Sequence, residues 1–200
     1  MSDWTMAGKP ALLVVHMQNS LCKVGGNLEG MGHCRAARDA GIIPNIRALQ
    51  EAFRAQAHPV VFVVAQHPHK FKVPAYGQFW PAARDMGVNL AGTEDVEVIE
   101  ELAPAADERV FYNWPFGVFR GNDLEQHLRE QNVETVVLTG VATGMAIGHA
   151  SFDLADRLFS LIVPSDTCAD ERAELHKAVL EQMLPPIASI TTAADVLAHL

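Results

Sequence analysis

The run Pro59-Val60-Val61-Phe62-Val63-Val64 constrains this chain more than any other stretch. A strand with one wet face alternates apolar and polar residues. This run does not alternate, so it reads as buried on both faces, the condition of a parallel sheet covered by helices. Ala11-Leu12-Leu13-Val14-Val15 and Thr135-Val136-Val137-Leu138-Thr139 read as further strands, with others at 109–112, 159–164 and 187–191. Between them lie helical signals at about 34–57, 122–131, 144–158 and 171–183. In the first helical signal Ile42, Ile43, Ile46, Leu49 and Phe53 recur at helical spacing. Pro44 falls inside that run, so the helix either kinks or begins there.

Such alternation predicts a three-layer α/β/α sandwich around a mainly parallel six-stranded sheet. Residues 11–16, 109–112 and 135–139 are expected to be neighbours near its centre. Ligands of open parallel sheets bind at the carboxyl ends of the strands. That places His16, His67, Asn113 and the 140–146 turn in one region. The long irregular segment 66–93 carries aromatics and prolines suited to folding over a pocket.

Two hundred residues suit one domain, 1–200, with a full core. The formal charge of −9, with no basic stripe, argues against nucleic acid and anionic membrane as partners. No apolar run approaches a membrane-spanning length, and the N-terminus does not read as a signal peptide. Cys22, Cys34 and Cys168 form no C-x-x-C pattern and leave one thiol over in any pairing, so reduced thiols in the cytoplasm are expected.

Four segments carry a family resemblance in the same order: Ala11 to Asn19 with His16-Met17-Gln18-Asn19, Val110 to Phe119, Gly140-Val141-Ala142-Thr143-Gly144-Met145-Ala146, and Pro164-Ser165-Asp166-Thr167-Cys168-Ala169-Asp170 followed by Glu174-Leu175-His176. Together they resemble the isochorismatase-like (cysteine hydrolase) superfamily. The resemblance implies a small-molecule hydrolase that assembles as a dimer or larger homo-oligomer. It also implies a catalytic Asp, Lys and Cys at positions held here by His16, Asn113 and Ala146.

Each of those substitutions alters the chemistry. Imidazole carries protons near neutral pH, so His16 reads either as a general acid–base or as a histidine capping a buried strand. An amide at Asn113 donates a hydrogen bond but offers no cation. A methyl group at Ala146 cannot attack a carbonyl, so the covalent amidase route is closed. The strand-to-helix turn still offers the backbone N–H groups of Ala142 to Ala146, including Gly144 and Met145, to an anion or carbonyl.

Trp114 and Phe116, with Tyr76, Phe79, Trp80 and Phe119, are candidates to line an apolar pocket for a small cyclic substrate. His149, three residues after Ala146, shares its helical face. It points either to the site or into helix packing. Cys22 is a remote candidate for a displaced nucleophile. His67 and His69 sit where metal-dependent relatives carry an Asp-x-His pair, but here the pattern is His-x-His and the next histidine is His127. They are expected to be solvated loop residues, with no metal and no cofactor. Two functions remain open: hydrolysis of a small molecule without a covalent cysteine intermediate, or ligand binding by a catalytically inactive member.

Overall fold

A computed structural model describes residues 4–68, 77, 79–114 and 116–200, with the backbone alone at residue 80. Its strands are β1 (Lys9–Val15), β2 (Val60–Ala65), β3 (Val110–Asn113), β4 (Val133–Val141), β5 (Ser160–Pro164), β6 (Cys168–Ala169) and β7 (Ser189–Thr191). The helices are α1 (Asn19–Cys22), α2 (His33–Asp39), α3 (Ile42–Ala55), α4 (Phe79–Met86), α5 (Leu124–Glu130), α6 (Gly148–Asp156), α7 (Ala173–Ala178) and α8 (Ala193–His199).

Every pairing between these strands is parallel, in the order β3-β2-β1-β4-β5-β7. Helices cover both faces. Alternate residues of β1 enter different cores: Ala11, Leu13 and Val15 pack with Leu128 of α5 and Leu154 of α6, whereas Leu12 and Val14 pack with Ile46 and Phe53 of α3 and Val196 of α8. That division explains why the strand is apolar at every position.

The expected architecture needs four corrections. Among the described residues the sheet has seven strands, because Cys168–Ala169 pairs with the far end of β4 beyond the point where β5 leaves it. Strand 109–112 is not central: β3 lies at the sheet edge against β2, and β1 is flanked by β2 and β4. An edge strand needs less burial, and β3 accordingly is short and exposes Tyr112. The helical run 34–57 is two helices, divided where Gly41 adopts a left-handed φ of 66°. Pro44 then falls in the first turn of α3, where its missing N–H costs no helical bond. Finally, α8 follows β7, an element absent from the sequence reading.

Winding outward from β1 in both directions creates a switch point between β1 and β4, where successive connections depart to opposite sides of the sheet. The carboxyl ends of those two strands therefore diverge and leave a crevice. Their backbones meet closely at its base. Gly140 has φ 124°, and a Cβ there would overlap the Val15 carbonyl oxygen.

Candidate functional site

His16 follows β1 directly, with a left-handed φ of 56°. Its N–H donates to the Val63 carbonyl at 2.8 Å, which ties this turn to β2. The ring is thereby directed into a cavity of about 230 Å³. Other walls come from Ala142, Met145 and Ala146 after β4, from His67 after β2, from Phe116 after β3, from Leu28, Met31 and His33 before and in α2, and from Phe79 of α4.

Asn113 lies behind His16 rather than in the cavity wall, and is buried. Its Nδ2 donates to the Phe116 carbonyl at 3.2 Å, which orients the amide so that Oδ1 faces His16 Nε2 at 3.0 Å. Oδ1 can only accept, so Nε2 carries the proton and Nδ1 presents a lone pair. Burial drives the His16 pKa down to about 4, against an upward pull from Asn113 and with further lowering from His33 and His67. At neutral pH His16 is therefore a neutral imidazole with about the basicity of a free carboxylate.

Ala146 supplies a methyl group to the cavity wall, beside Ala142. The turn amides are engaged internally. Gly144 N–H donates to Asp170 Oδ2 at 2.7 Å, and the N–H groups of Met145, Ala146 and Ile147 converge on the Ala142 carbonyl at 3.3, 2.9 and 3.2 Å. Burial would raise the Asp170 pKa, but the N–H groups of Gly144 and Arg172 and the Arg172 charge outweigh it and hold the pKa low.

The remaining sequence candidates divide. Phe116 lines the cavity and packs on Phe79 at 5.1 Å between ring centroids. Trp114 stands one step back, edge-on to His67 at 4.7 Å. His149 lies outside the cavity. It faces a neighbouring groove with Gly144, Phe152 and Met183, and its Nδ1 is 3.6 Å from Asp153. One face of a helix can border two hollows, so sharing a face with Ala146 did not fix which one His149 enters. Phe119 is a core residue stacked on Phe159, not a pocket residue.

Nor is Cys22 a nucleophile facing the site: burial pushes its thiol up to about 12. His67 is buried rather than solvated, and burial lowers its pKa. His69 and Tyr76, and the side chain of Trp80, lie outside the described residues. Among the described residues no group of three His, Cys, Asp or Glu side chains is placed to hold a metal ion, and no helix is long and apolar enough to cross a membrane.

Sequence reasoning missed the polar support of this cavity. Gln18, fully buried, accepts from Ala65 N–H at 2.7 Å. Its Nε2 lies within 3.0–3.2 Å of Ser20 Oγ, the Ala65 and Asp95 carbonyls and Asn89 Oδ1. Asp95 in turn accepts from Asn89 N–H and Asn27 Nδ2. One glutamine thus fastens the end of β1 to the end of β2 and to the segment around 89–95. Also missed were His33 and Glu171, which approach to 2.8 Å across the cavity wall.

A parallel sheet with a partly polar cavity at its switch point defines an open α/β fold whose crevice lies at the carboxyl ends of the strands. Sequence comparison makes the assignment specific: an isochorismatase domain matches residues 10–195, and the chain belongs to that family. It is 25% identical over 191 residues to YaaI, an uncharacterized isochorismatase family protein of Bacillus subtilis, covering 94% of this chain and 96% of that one. Among solved structures it resembles an N-carbamoylsarcosine amidase from Thermoplasma acidophilum, at 28% identity and TM-score 0.73 over 93% of this chain and 97% of the other. A cysteine hydrolase from Pseudomonas syringae shares the fold at TM-score 0.83 and 23% identity, over 100% and 98% of the two chains.

Proposed function

We propose that this protein is a hydrolase of a small molecule that works without a covalent cysteine intermediate, with His16 as its general base. The observation that carries this reading is the His16–Asn113 hydrogen bond beside Ala146. It commits Nε2 of a neutral imidazole and leaves Nδ1 as the lone pair of a ring that lines the cavity, where Ala146 stands at the position at which the family resemblance implies a cysteine. In the proposed step Nδ1 takes a proton from water as the water oxygen bonds to the electrophilic carbon. The resulting imidazolium returns that proton to the leaving group as its bond to that carbon breaks. Asn113 holds the tautomer, and the apolar walls exclude competing water.

A base of this kind works only when deprotonated. Hydrolysis of a panel of small esters, amides and vinyl ethers should therefore rise as pH increases through about 4, and His16→Ala should abolish that limb. A panel hydrolysed equally by wild type and His16→Ala rules the reading out.

The engaged turn amides support a second reading, a ligand-binding member without turnover. Binding of a panel compound with no hydrolysis at any pH would favour it. Association into a homo-oligomer is part of the proposal, supported by exposed Met145, Phe152 and Met183 beside the cavity, and light scattering of the purified chain tests it. A cytoplasmic setting is also proposed, on the strength of three buried free thiols.

A further inference from the structure

We propose that His33 and Glu171 select the ligand of this cavity, admitting an uncharged head that donates a hydrogen bond and turning away carboxylates. The proposal rests on the reading that the cavity around His16 is the ligand site. His33 opens α2 directly after Gly32, which has a left-handed φ of 87°. A Cβ on Gly32 would stand 3.1 Å from that of Glu171, so glycine there gives the 170–172 segment room to close on α2. The His33 side chain is only 8% exposed, yet it lines the cavity.

Its Nδ1 and Glu171 Oε2 are 2.8 Å apart but out of line, and neither atom makes a directed hydrogen bond although both are fully buried. A buried polar atom left in that condition retains the capacity to bind a ligand group. Glu171 Oε1 is already committed to Arg172 Nε at 3.0 Å. That same Nε also donates to Asp170 Oδ1 at 3.2 Å. Two carboxylates thus share one guanidinium, and Glu171 and Arg172 both line the cavity.

Oε2 is an acceptor only, and a carboxylate oxygen serves more than one donor. A small turn of the Glu171 side chain, which is 24% exposed, brings Oε2 to a ligand hydroxyl or N–H. A ligand carboxylate meets a like charge that Arg172 only partly offsets. The neighbouring walls at Leu28, Met31, Phe79 and Phe116 suit an apolar body.

Benzamide, acetophenone and benzoate test this, because they share one ring and one size and differ in the head group. Binding to the whole protein is followed by saturation-transfer and histidine-ring NMR, with no turnover required. Wild type should prefer benzamide to each of the others by at least about tenfold. Glu171→Gln, close in shape, should raise benzoate affinity by a similar factor. Glu171→Ala should bring benzamide and acetophenone level, and His33→Gln should weaken the benzamide preference.

Equal binding of benzoate and benzamide to wild type overturns the proposal. So does a preference that survives in Glu171→Ala, or failure of benzamide to bind at millimolar concentration. The same titrations with His16→Ala separate the two readings. If the preference persists there while hydrolysis is untouched, the catalytic role of His16 fails and the selection by Glu171 stands.

Discussion

At His16 a neutral ring occupies a place where the resemblance implies a carboxylate, and the fold enforces that neutrality by burial. The consequence reaches stability. The folded pKa of about 4 lies below the unfolded value of 6.5, so between those limits the unfolded chain binds more protons. Stability is therefore complete above about pH 6.5 and falls as pH drops toward 4, by about 3 kcal/mol from this one group. Urea titrations at several pH values check this: His16→Gln should lose distinctly less stability over that interval than wild type.

Ala146 makes a chemical prediction at the same scale. The unmodified protein should not hydrolyse nicotinamide. The triple variant His16→Asp, Asn113→Lys, Ala146→Cys should form a thiol adduct with an aldehyde analogue, detectable by mass spectrometry, whereas Ala146→Cys alone should react much less. Equal labelling of the single and triple variants would show that the three positions do not act together.

At the scale of elements, the site depends on how strand ends are tied to one another. Removing the Gln18 side chain leaves buried partners on β2 and the 89–95 segment unsatisfied. Gln18→Ala should cost about 3 kcal/mol and speed amide exchange around 89–95 more than in α5. Gly140→Ala, which drives a methyl group into the β1 backbone, should cost roughly 3 kcal/mol or more and lower the melting temperature accordingly. A thermal melt within a degree of wild type would refute the close approach.

The central strands were legible because a doubly buried strand writes itself as an unbroken apolar run, as at 60–64, whereas the two-residue β6 was not. The order of strands was not, since nothing within Val110–Asn113 says which neighbour it will pair with. α3 was legible through its apolar spacing, whereas the α2–α3 break depended on one left-handed glycine. His16, Asn113 and Ala146 stood out through local motifs that follow strands. His33 and Glu171 carry no such local signal: their partnership exists only after α2 and the 170–172 segment are brought together.

On the scale of the whole molecule, the cavity gathers its walls from every third of the chain. The sheet does likewise, for β1 lies at its centre with β2 on one side and β4 on the other. A chain truncated before Val133 retains β1 and β2 but leaves the other edge of β1 bare. Such a fragment should aggregate rather than fold, and sedimentation of truncations ending before and after β4 would show where solubility is regained.

A central first strand also sets a schedule for synthesis. The ribosome delivers this buried strand early with one edge still unpaired, and its second partner emerges only after more than half the chain has followed. In the interval that edge is a surface for chaperones or for misassembly with a neighbouring nascent chain. Translation speed between β2 and β4, rather than the finished protein's stability, would then govern the yield of folded molecules.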